Sequence, residues 1–319
     1  MKKIELHLHL EGAAPPALIR ALAQEKRVDL PPIFDEAGGY AYRGFTDFLR
    51  VYEAATSVLT TPRDYARLLE EVLGACAEEG AIYTELFISP DFCGGGDLHA
   101  WRDYLGAMEE VAARMRRHGI DSRAILTAVR HFGPDRARRA AICAAETSGG
   151  WVTGFGMGGA ETEGKARDFA WSFDCAREAG LGLTSHAGEW GGPQSIRDTL
   201  ALGVTRIGHG IRAIEDPALV RDLAEREITL EICPGSNIAL GLCKDWRAHP
   251  IARLADAGVR VTVSTDDPPF FGTTLRKEYD RLAEAFGWHD EDFRRMNLWA
   301  IDAAFCDTDT KTSLRKEFS

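Results

Sequence analysis

Short apolar runs alternate along the chain with longer segments in which apolar residues recur every three or four positions. The short runs are typical of buried strands, and the longer segments have the period of amphipathic helices. Strands are predicted at residues 4–10, 82–88, 124–129, 152–155, 181–185, 206–207, 228–232 and 259–264. Helices are predicted between them at residues 62–79, 101–118, 134–147, 165–179 and 217–227, several of which begin with a proline that suits the first helical turn.

Eight alternations of strand and helix predict an α/β protein with the (β/α)8 TIM-type barrel of parallel strands. A doubly wound open sheet also alternates strands with helices and is the alternative architecture. The number of strands and the polar residues at their ends favour the barrel. Barrels of this type place their active sites at the carboxyl ends of the strands. Chemistry is therefore expected in the residues that follow each strand.

One segment, at residues 28–60, interrupts the alternation after the first strand. We predict that it forms an inserted helical or lid segment over the barrel mouth. Its aromatic residues either form a wall for a flat apolar ligand or pack into a small local core. No repeat, low-complexity tract or linker divides the chain, so one domain is expected over residues 1–319, with a C-terminal helical appendage at residues 283–319.

Composition and charge exclude several classes of protein. The 319 residues are 45% hydrophobic and 27% charged, which is ordinary for a folded globular protein. The formal net charge of −11 repels phosphate backbones and anionic lipid, so we expect neither a nucleic-acid nor a membrane partner. Seven cysteines without a CxxC pair argue against a disulfide framework. With no signal peptide and no apolar run of about 20 residues, a cytoplasmic location is expected.

Candidate metal ligands begin in the first predicted strand, where His7 and His9 alternate with leucines. Because side chains alternate across a strand, both imidazoles lie on one face and can bind one ion. The HxH pattern is weak evidence when it stands alone, since most single histidines are structural. The histidines at positions 99, 118, 131, 249 and 289 have no such pattern and are interpreted as structural or surface residues.

Similar polar residues recur at later strand ends. His186 and Glu189 follow the fifth strand, His209 ends the sixth, and Asp266 and Asp267 follow the eighth. Several imidazoles with a carboxylate suit a borderline-soft divalent ion that keeps one position open for water. Metal-dependent catalysis is therefore the leading hypothesis.

A glycine pattern elsewhere in the chain offers a different hypothesis. Gly154, Gly156 and Gly159 match the GxGxxG spacing of dinucleotide-binding folds, which is weak evidence in a single match. Glu161 and Glu163 follow this pattern, at the place where a pyrophosphate would meet a helix N-terminus, and their negative charges would repel it. A dinucleotide cofactor is therefore not expected.

Four ordered motifs together resemble those of the adenosine deaminase family, which belongs to the metal-dependent amidohydrolases. They are HLHLEG at residues 7–12, SHAGE at 185–189, RIGHG at 206–210 and STDDP at 264–268. The similarity runs from about residue 3 to about residue 279 and is weak in the insertion and in the C-terminal residues. Four motifs in this order at the ends of predicted strands are highly specific.

The resemblance implies a mononuclear metal site. Its ligands would be His7, His9, His186 and Asp266, holding one Zn²⁺ per chain, with iron as the alternative metal. Binuclear relatives need a carboxylated lysine or a similar bridge at the end of the fourth strand, where residues 155–159 read FGMGG. The ion would make hydroxide available at neutral pH.

The resemblance also implies how a purine would be bound and deaminated. Hydroxide would attack ring carbon 6 and ammonia would leave, with Asp266 and His9 beside the reacting atoms. His209 resembles the base that orients the water, and Glu189 resembles the acid that protonates ring nitrogen 1, for which its pKa must be raised. Asp267 would contact ring nitrogen 7, and the amide of Gly159 would face ring nitrogen 3.

The substrate is predicted from three positions. Glu11 stands where adenosine deaminases usually have an aspartate that meets the ribose, and glutamate is more typical of adenine and aminofutalosine deaminases. Gly208 and residues 271–275 look more like adenosine deaminases. We therefore predict hydrolysis of a purine nucleoside, adenosine or 2′-deoxyadenosine, to the inosine product and ammonia, with Glu11 binding the ribose.

Two alternatives to this substrate and function stay open. Adenine or aminofutalosine deamination uses the same chemistry on a different substrate. A non-catalytic metal-binding barrel is disfavoured, because it has no use for Glu189 and His209 beside its ion.

Overall fold

The computed structural model describes all residues, 1–319, and contains eight parallel strands in chain order. The strands are β1 (Lys3–His9), β2 (Ala81–Ile88), β3 (Asp121–Val129), β4 (Val152–Gly158), β5 (Gly182–Ala187), β6 (Arg206–His209), β7 (Thr229–Ile232) and β8 (Arg260–Val263). Each strand pairs in parallel with the next one. A parallel bridge between Leu8 and Asp266 joins the first strand to the chain just after the last. The predicted α/β (β/α)8 TIM-type fold is confirmed, as a nearly closed barrel.

Fourteen α-helices accompany the strands. They are α1 (Pro16–Lys26), α2 (Gly44–Thr56), α3 (Pro62–Glu78), α4 (Leu98–Arg117), α5 (Pro134–Glu146), α6 (Ala170–Glu178), α7 (Pro193–Leu200), α8 (Pro217–Glu225), α9 (Pro234–Ala239), α10 (Ile251–Asp256), α11 (Pro268–Phe271), α12 (Leu275–Phe286), α13 (Asp290–Ala303) and α14 (Thr308–Lys316). Short 3₁₀ turns lie at Arg130–Phe132, Ala166–Phe169, Ile211–Glu215 and Trp246–Ala248. None of the helices combines the length and the apolar character that crossing a membrane requires.

The ends of several elements differ from the sequence prediction, and two of them show why. Helix α4 begins at Leu98 rather than at residue 101, because the Asp97 side chain accepts a hydrogen bond from the Ala100 amide and caps the helix. Strand β6 continues beyond residue 207 to His209, because residues 206–208 pair with β7 and His209 pairs with β5. The hydrophobic pattern misses this extension, since the added residues are glycine and histidine.

The insertion at residues 28–60 is helical only in part, at Gly44–Thr56, and its aromatic residues lie in two different places. Tyr40 stacks on Phe34 and on Phe270, with a centroid separation of 3.9 Å to Phe270, so this part is a local core. Phe48 and Tyr52 of α2 instead line the cavity at the barrel mouth. Both interpretations of the insertion therefore hold, each for different residues.

The C-terminal helices lie against the barrel on the side of its first and last strands. Helix α13 packs against β1 and β8. Leu314 and Phe318 are buried in a small apolar cluster with Ile4, Leu6 and Tyr83. These helices leave the carboxyl ends of the strands uncovered. The insertion and the loops that carry the polar residues lie at those ends.

Candidate active site

The candidate residues lie at the carboxyl ends of four strands. His7 and His9 are on β1, His186 is on β5, His209 ends β6, and Asp266 follows β8. His209 and Asp266 have positive φ angles of 62° and 67°, which non-glycine residues rarely adopt. Such backbone strain persists only where the surrounding structure holds it, and it is concentrated at functional sites.

The side chains of this group converge on one point. The donor atoms of His7, His186, His209 and Asp266 lie within 4.8 Å of one another. Nε2 of His186 is 3.1 Å from Nε2 of His7 and 3.1 Å from Nε2 of His9. Oδ1 of Asp266 is 3.3 Å from Nε2 of His9 and 3.6 Å from Nε2 of His7. The four predicted ligands are therefore brought together. His209, the predicted base, belongs to the mutually close donor group in which His9 is not included.

Buried acceptors fix how two of the imidazoles are protonated. Nδ1 of His7 lies 2.7 Å from Oε2 of Glu231, and Nδ1 of His186 lies 3.0 Å from the carbonyl oxygen of Met157. Burial raises the pKa of Glu231, but the Arg206 guanidinium and the hydrogen bond from His7 outweigh it and lower that pKa to about 2. Both Nδ1 atoms therefore donate, and both Nε2 atoms are free to bind a cation.

The charge balance of this group also suits a cation. Burial lowers the pKa of His9 to about 3 and that of His186 to about 4, so both rings stay neutral and can act as ligands. Burial would lower the pKa of His7 too, but bonds to Asp266 and Glu231 and their charges raise it to about 9. The surroundings of His7 therefore attract positive charge. Neutral imidazole nitrogens and one carboxylate fit a divalent ion such as zinc.

Glu231 and Arg206 belong to a buried ionic network beneath the cluster. The Arg206 guanidinium lies 2.6 Å from Oε1 of Glu231 and 2.5 Å from Oε2 of Glu85, and all three side chains are almost fully buried. Sequence reasoning assigned no role to Glu231. The available signal is a glutamate inside the apolar run ITLEIC, because a buried carboxylate needs a partner.

Two further predicted residues, Glu189 and His209, lie side by side next to the cluster. Oε1 of Glu189 is 3.8 Å from Nε2 of His209, and both residues are buried. Burial, followed by the charges of Asp266 and Glu161, raises the pKa of Glu189 well above its ordinary value. Burial lowers the pKa of His209 well below its ordinary value. A carboxylic acid that can donate a proton thus lies beside an imidazole that can accept one.

The side chain of Asp267 packs against the backbone of the loop that follows β1, at Gly12. A Cβ atom at Gly12 would lie 1.5 Å from Oδ1 of Asp267, so only glycine leaves room for this carboxyl group. Burial and the neighbouring charge of Asp266 raise the pKa of Asp267 well above its ordinary value. Its Oδ1 atom is buried without a hydrogen-bond partner in the protein, and the residue lines the cavity.

A cavity of about 710 Å³, which includes its open mouth, connects these groups. Phe45, Phe48, Leu49 and Tyr52 of α2 form its apolar side. The polar side includes five carboxyl groups, those of Glu11, Glu53, Glu189, Asp266 and Asp267. No lysine or arginine lines the cavity. Neither of these side chains is therefore available in the cavity to neutralise an anion, and its apolar side suits a flat ligand.

Gly159 and His131 meet at the wall of this cavity. Gly159 has a φ angle of 93°, and a Cβ atom there would lie 2.7 Å from Nδ1 of His131. Nε2 of His131 lies 3.3 Å from Oε1 of Glu53 on α2. The sequence interpretation makes His131 a structural or surface residue. The structure gives it a structural contact, since its Nδ1 atom accepts a hydrogen bond from the Ala160 amide at 3.3 Å, and also places it in the cavity lining. Its position after β3 was the signal that could have shown this.

Glu11 is buried in the cavity wall. Its Oε1 atom accepts hydrogen bonds from the Tyr65 hydroxyl at 3.1 Å and from the Ser89 amide at 3.2 Å. Burial raises the pKa of Glu11 to about 7 despite these bonds. This carboxyl group is thus anchored at one oxygen, and the residue belongs to the cavity lining.

Comparisons with known proteins agree on one family. The adenosine deaminase family model matches residues 2–319. Curated relatives that are 44–48% identical, each aligned with 98% of the chain, are adenine deaminases. Among them, the adenine deaminase of Rhizobium rhizogenes is 48% identical over 322 residues, which is 98% of each chain.

Solved structures give the same result. The crystal structure of an adenine deaminase from Arthrobacter aurescens superposes with a TM-score of 0.89 at 27% identity, covering 99% of this chain and 97% of that one. An amidohydrolase from Burkholderia ambifaria with bound Zn superposes with a TM-score of 0.88 at 27% identity, covering 100% of this chain and 89% of that one.

The prediction of adenosine as the substrate is wrong, since the curated relatives act on adenine. The structure explains why two of the sequence signals misled. Gly208 packs under the imidazoles, where a Cβ atom would lie 2.9 Å from Cε1 of His7, so its identity reflects close packing. Thr273 and Thr274 bond to Glu278 and Glu79, respectively, so these residues of the 271–275 stretch are structural. Glu11, which favoured adenine, was the better guide.

Proposed function

The chain belongs to the adenosine deaminase family of aminohydrolases, and on that basis we propose that it deaminates adenine to hypoxanthine. One adenine and one water give one hypoxanthine and one ammonia. The bond between ring carbon 6 and the exocyclic nitrogen breaks, and a bond from carbon 6 to the water oxygen forms.

The choice of adenine is supported by the relatives and by the charge of the cavity. Relatives at 44–48% identity are named adenine deaminases. A nucleotide would bring a phosphate into a cavity lined by five carboxyl groups and no basic side chain. The free base has no such charge, and its flat ring suits the wall formed by Phe48 and Tyr52.

The metal proposed for this site is one Zn²⁺ per chain, held by His7, His9, His186 and Asp266. The convergence of these donor atoms and the zinc in the structure from Burkholderia ambifaria support this choice. When bound, such an ion supplies a Lewis acid that lowers the pKa of water. Ser236 donates a hydrogen bond to Oδ2 of Asp266 at 2.7 Å and so orients the carboxylate.

His209 and Glu189 would carry the proton transfers of the proposed reaction. His209 has its pKa lowered by burial, so it is neutral at pH 7 and can take a proton from the attacking water. Burial raises the pKa of Glu189 well above its ordinary value, which favours the protonated acid, and this acid can give its proton to ring nitrogen 1. Protonation of this nitrogen makes carbon 6 a better electrophile. The proton that His209 takes from water would pass to the departing amine, which leaves as ammonia. The hydroxyl proton left on the carbon 6 oxygen would restore the proton of Glu189.

Other groups orient the ring and exclude water. Burial and the charge of Asp266 raise the pKa of Asp267, which favours its protonated form, and that form can donate a hydrogen bond to ring nitrogen 7. The amide of Gly159 is assigned to ring nitrogen 3, and Glu11 to the edge of the base where a nucleoside would carry its ribose. The apolar face of α2 covers the ring from the solvent side.

The observation that carries the proposed reaction is the pair formed by Glu189 and His209 beside the donor cluster. The test is to incubate the zinc-loaded protein with adenine and to measure hypoxanthine by chromatography and ammonia enzymatically. We expect the two products in a 1:1 ratio. Absence of both products from metal-loaded, folded protein would overturn the proposal.

A further inference from the structure

Glu161, which follows β4, carries a carboxylate that receives five hydrogen bonds and is only 3% exposed. Four of the donors are consecutive backbone amides, and the fifth is a hydroxyl. They are the amides of Gly188 at 2.6 Å, Glu189 at 3.0 Å, Trp190 at 2.7 Å and Gly191 at 2.9 Å, and the hydroxyl of Ser195. A single side chain thus binds the entire loop in which Glu189 lies.

The carboxylate of Glu161 is ionised in this position. Burial would raise the pKa of Glu161, but the hydrogen bonds from Ser195 and from the amides of Gly191, Gly188 and Trp190 outweigh it and lower that pKa. Hydrogen bonds from amides to a charged acceptor are shorter and stronger than bonds between neutral groups. The dinucleotide hypothesis treated Glu161 only as an obstacle to pyrophosphate, whereas the structure gives it these five partners.

The loop is shaped to meet this carboxylate. Residues 188–192 lie between β5 and α7 and form neither helix nor strand. Gly188 has a φ angle of 70°, which glycine adopts without strain. A Cβ atom at Gly191 would lie 2.6 Å from Oε1 of Glu161, so a larger residue there would displace the carboxylate. The two glycines allow the backbone to wrap around Glu161.

We propose that Glu161 is a positioning residue that acts on catalysis through Glu189. By fixing the amide of Glu189 and those of its neighbours, it holds the acid beside the reacting ring. Glu161 does not line the cavity. The inference rests on the proposed deamination for its effect on turnover, but the contact with the loop is independent of it.

The first test is Glu161→Gln, which keeps the shape of the side chain but replaces one acceptor oxygen with an NH₂ group facing amide donors. We expect kcat for adenine to fall about 10- to 100-fold, because a displacement of about 1 Å at a reacting group has effects of this size. KM is expected to change less than about threefold, and the bound metal per folded chain is expected to stay the same. Unchanged kcat per folded, metal-loaded chain would overturn the proposal.

A second measurement follows the loop directly. Hydrogen exchange read by mass spectrometry on peptides covering residues 186–192 should become at least about 10-fold faster in Glu161→Gln, since the amides lose their acceptor. Unchanged exchange would contradict the proposal whatever the activity shows. If the wild type fails to deaminate adenine, the proposed function is wrong, and exchange alone then decides whether Glu161 holds the loop.

The matched control is Asp307→Asn. Asp307 also accepts a backbone amide, that of Thr310 at 2.8 Å, but it caps α14 in the C-terminal helices. We expect a lower melting temperature and unchanged kcat. If Glu161→Gln does not fold, Ser195→Ala removes one of the five donors, and a kcat reduction of a few fold with unchanged KM is expected. No change of kcat or of loop exchange in Ser195→Ala would then count against the proposal.

Discussion

Nδ1 of His7 lies 2.7 Å from Oε2 of Glu231, and both side chains are fully buried. The ionised carboxylate fixes the proton of the ring on Nδ1, so Nε2 is directed towards the other candidate ligands. Arg206 holds Glu231 from the other side and connects it to Glu85. The orientation of this ligand is therefore set from inside the barrel, by residues that never touch a substrate.

Replacing Glu231 with Gln should weaken metal binding. The variant removes the charge that favours the observed His7 tautomer, and outer partners of this kind typically contribute 10- to 100-fold to metal affinity, so we expect about that loss. Competition with a chelator of known affinity measures it. Glu85→Gln is the control, since it also removes a charged partner of Arg206 but does not contact His7. Equal metal affinity in the two variants would contradict the assignment.

The role of Glu189 as the proton donor is tested by Glu189→Gln. The amide has the same shape but no transferable proton, so turnover should fall at least about 100-fold. Metal content, measured by elemental analysis, should stay at the wild-type value. Turnover within a few fold of the wild type would remove Glu189 from the proposed mechanism.

The proposed site predicts how many metal ions each chain binds and whether activity lost on metal removal is recovered when metal is added back. The donor cluster holds one set of ligands, so about one divalent ion per chain is expected. Chelation should abolish turnover, and one equivalent of zinc should restore it. Two tightly bound ions per chain, or full activity after chelation, would contradict a mononuclear site.

The stability of the metal-free protein should depend on pH through buried carboxyl groups. Burial raises the pKa of Glu278 to about 8, against hydrogen bonds from Thr273 and the Gly235 amide that lower it. The folded state then keeps a proton that the unfolded chain releases near pH 4.5, the ordinary value for this group. This stabilisation is complete below about pH 4.5 and is lost as the pH rises through about 8.

Denaturant unfolding of the metal-free wild type and of Glu278→Gln at pH 5.5, 7 and 8.5 checks this. The free energy of unfolding should fall more steeply with pH in the wild type, by an amount on the order of a few kcal/mol. The free energy of unfolding of the variant should still fall with pH, but less steeply. The remaining decrease comes from Glu5 and Glu11, because burial raises their pKa values to about 7. Identical slopes would show that Glu278 is already ionised at neutral pH.

The barrel and its chemistry could be predicted because strand alternation and four ordered motifs are local signals. His7 and His9 lie on one face simply because a strand has a period of two. The substrate could not be predicted in the same way. Gly208 occupies its position because of packing against His7, and a motif cannot distinguish such a steric requirement from recognition of a ribose.

The supporting residues could not be found from local patterns either. Glu231 reaches His7 from 224 positions away, and Glu161 reaches the Glu189 amide from 28 positions away, so only the fold brings these pairs together. His131 lines the cavity because the 3₁₀ turn after β3 places it there. Buried polar side chains inside apolar runs are the one signal in the sequence that points to such residues.

The most direct test of the proposed function is the ratio of kcat/KM for adenine to that for adenosine, measured by the ultraviolet change from amino-purine to oxo-purine. Both substrates are assayed with the same zinc-loaded protein, and a chelated sample is the blank. We expect a preference for adenine of at least about 100-fold, because the proposed function assigns the buried carboxyl group of Glu11 to the edge of the base where a nucleoside would carry its ribose. Equal or faster turnover of adenosine would contradict it.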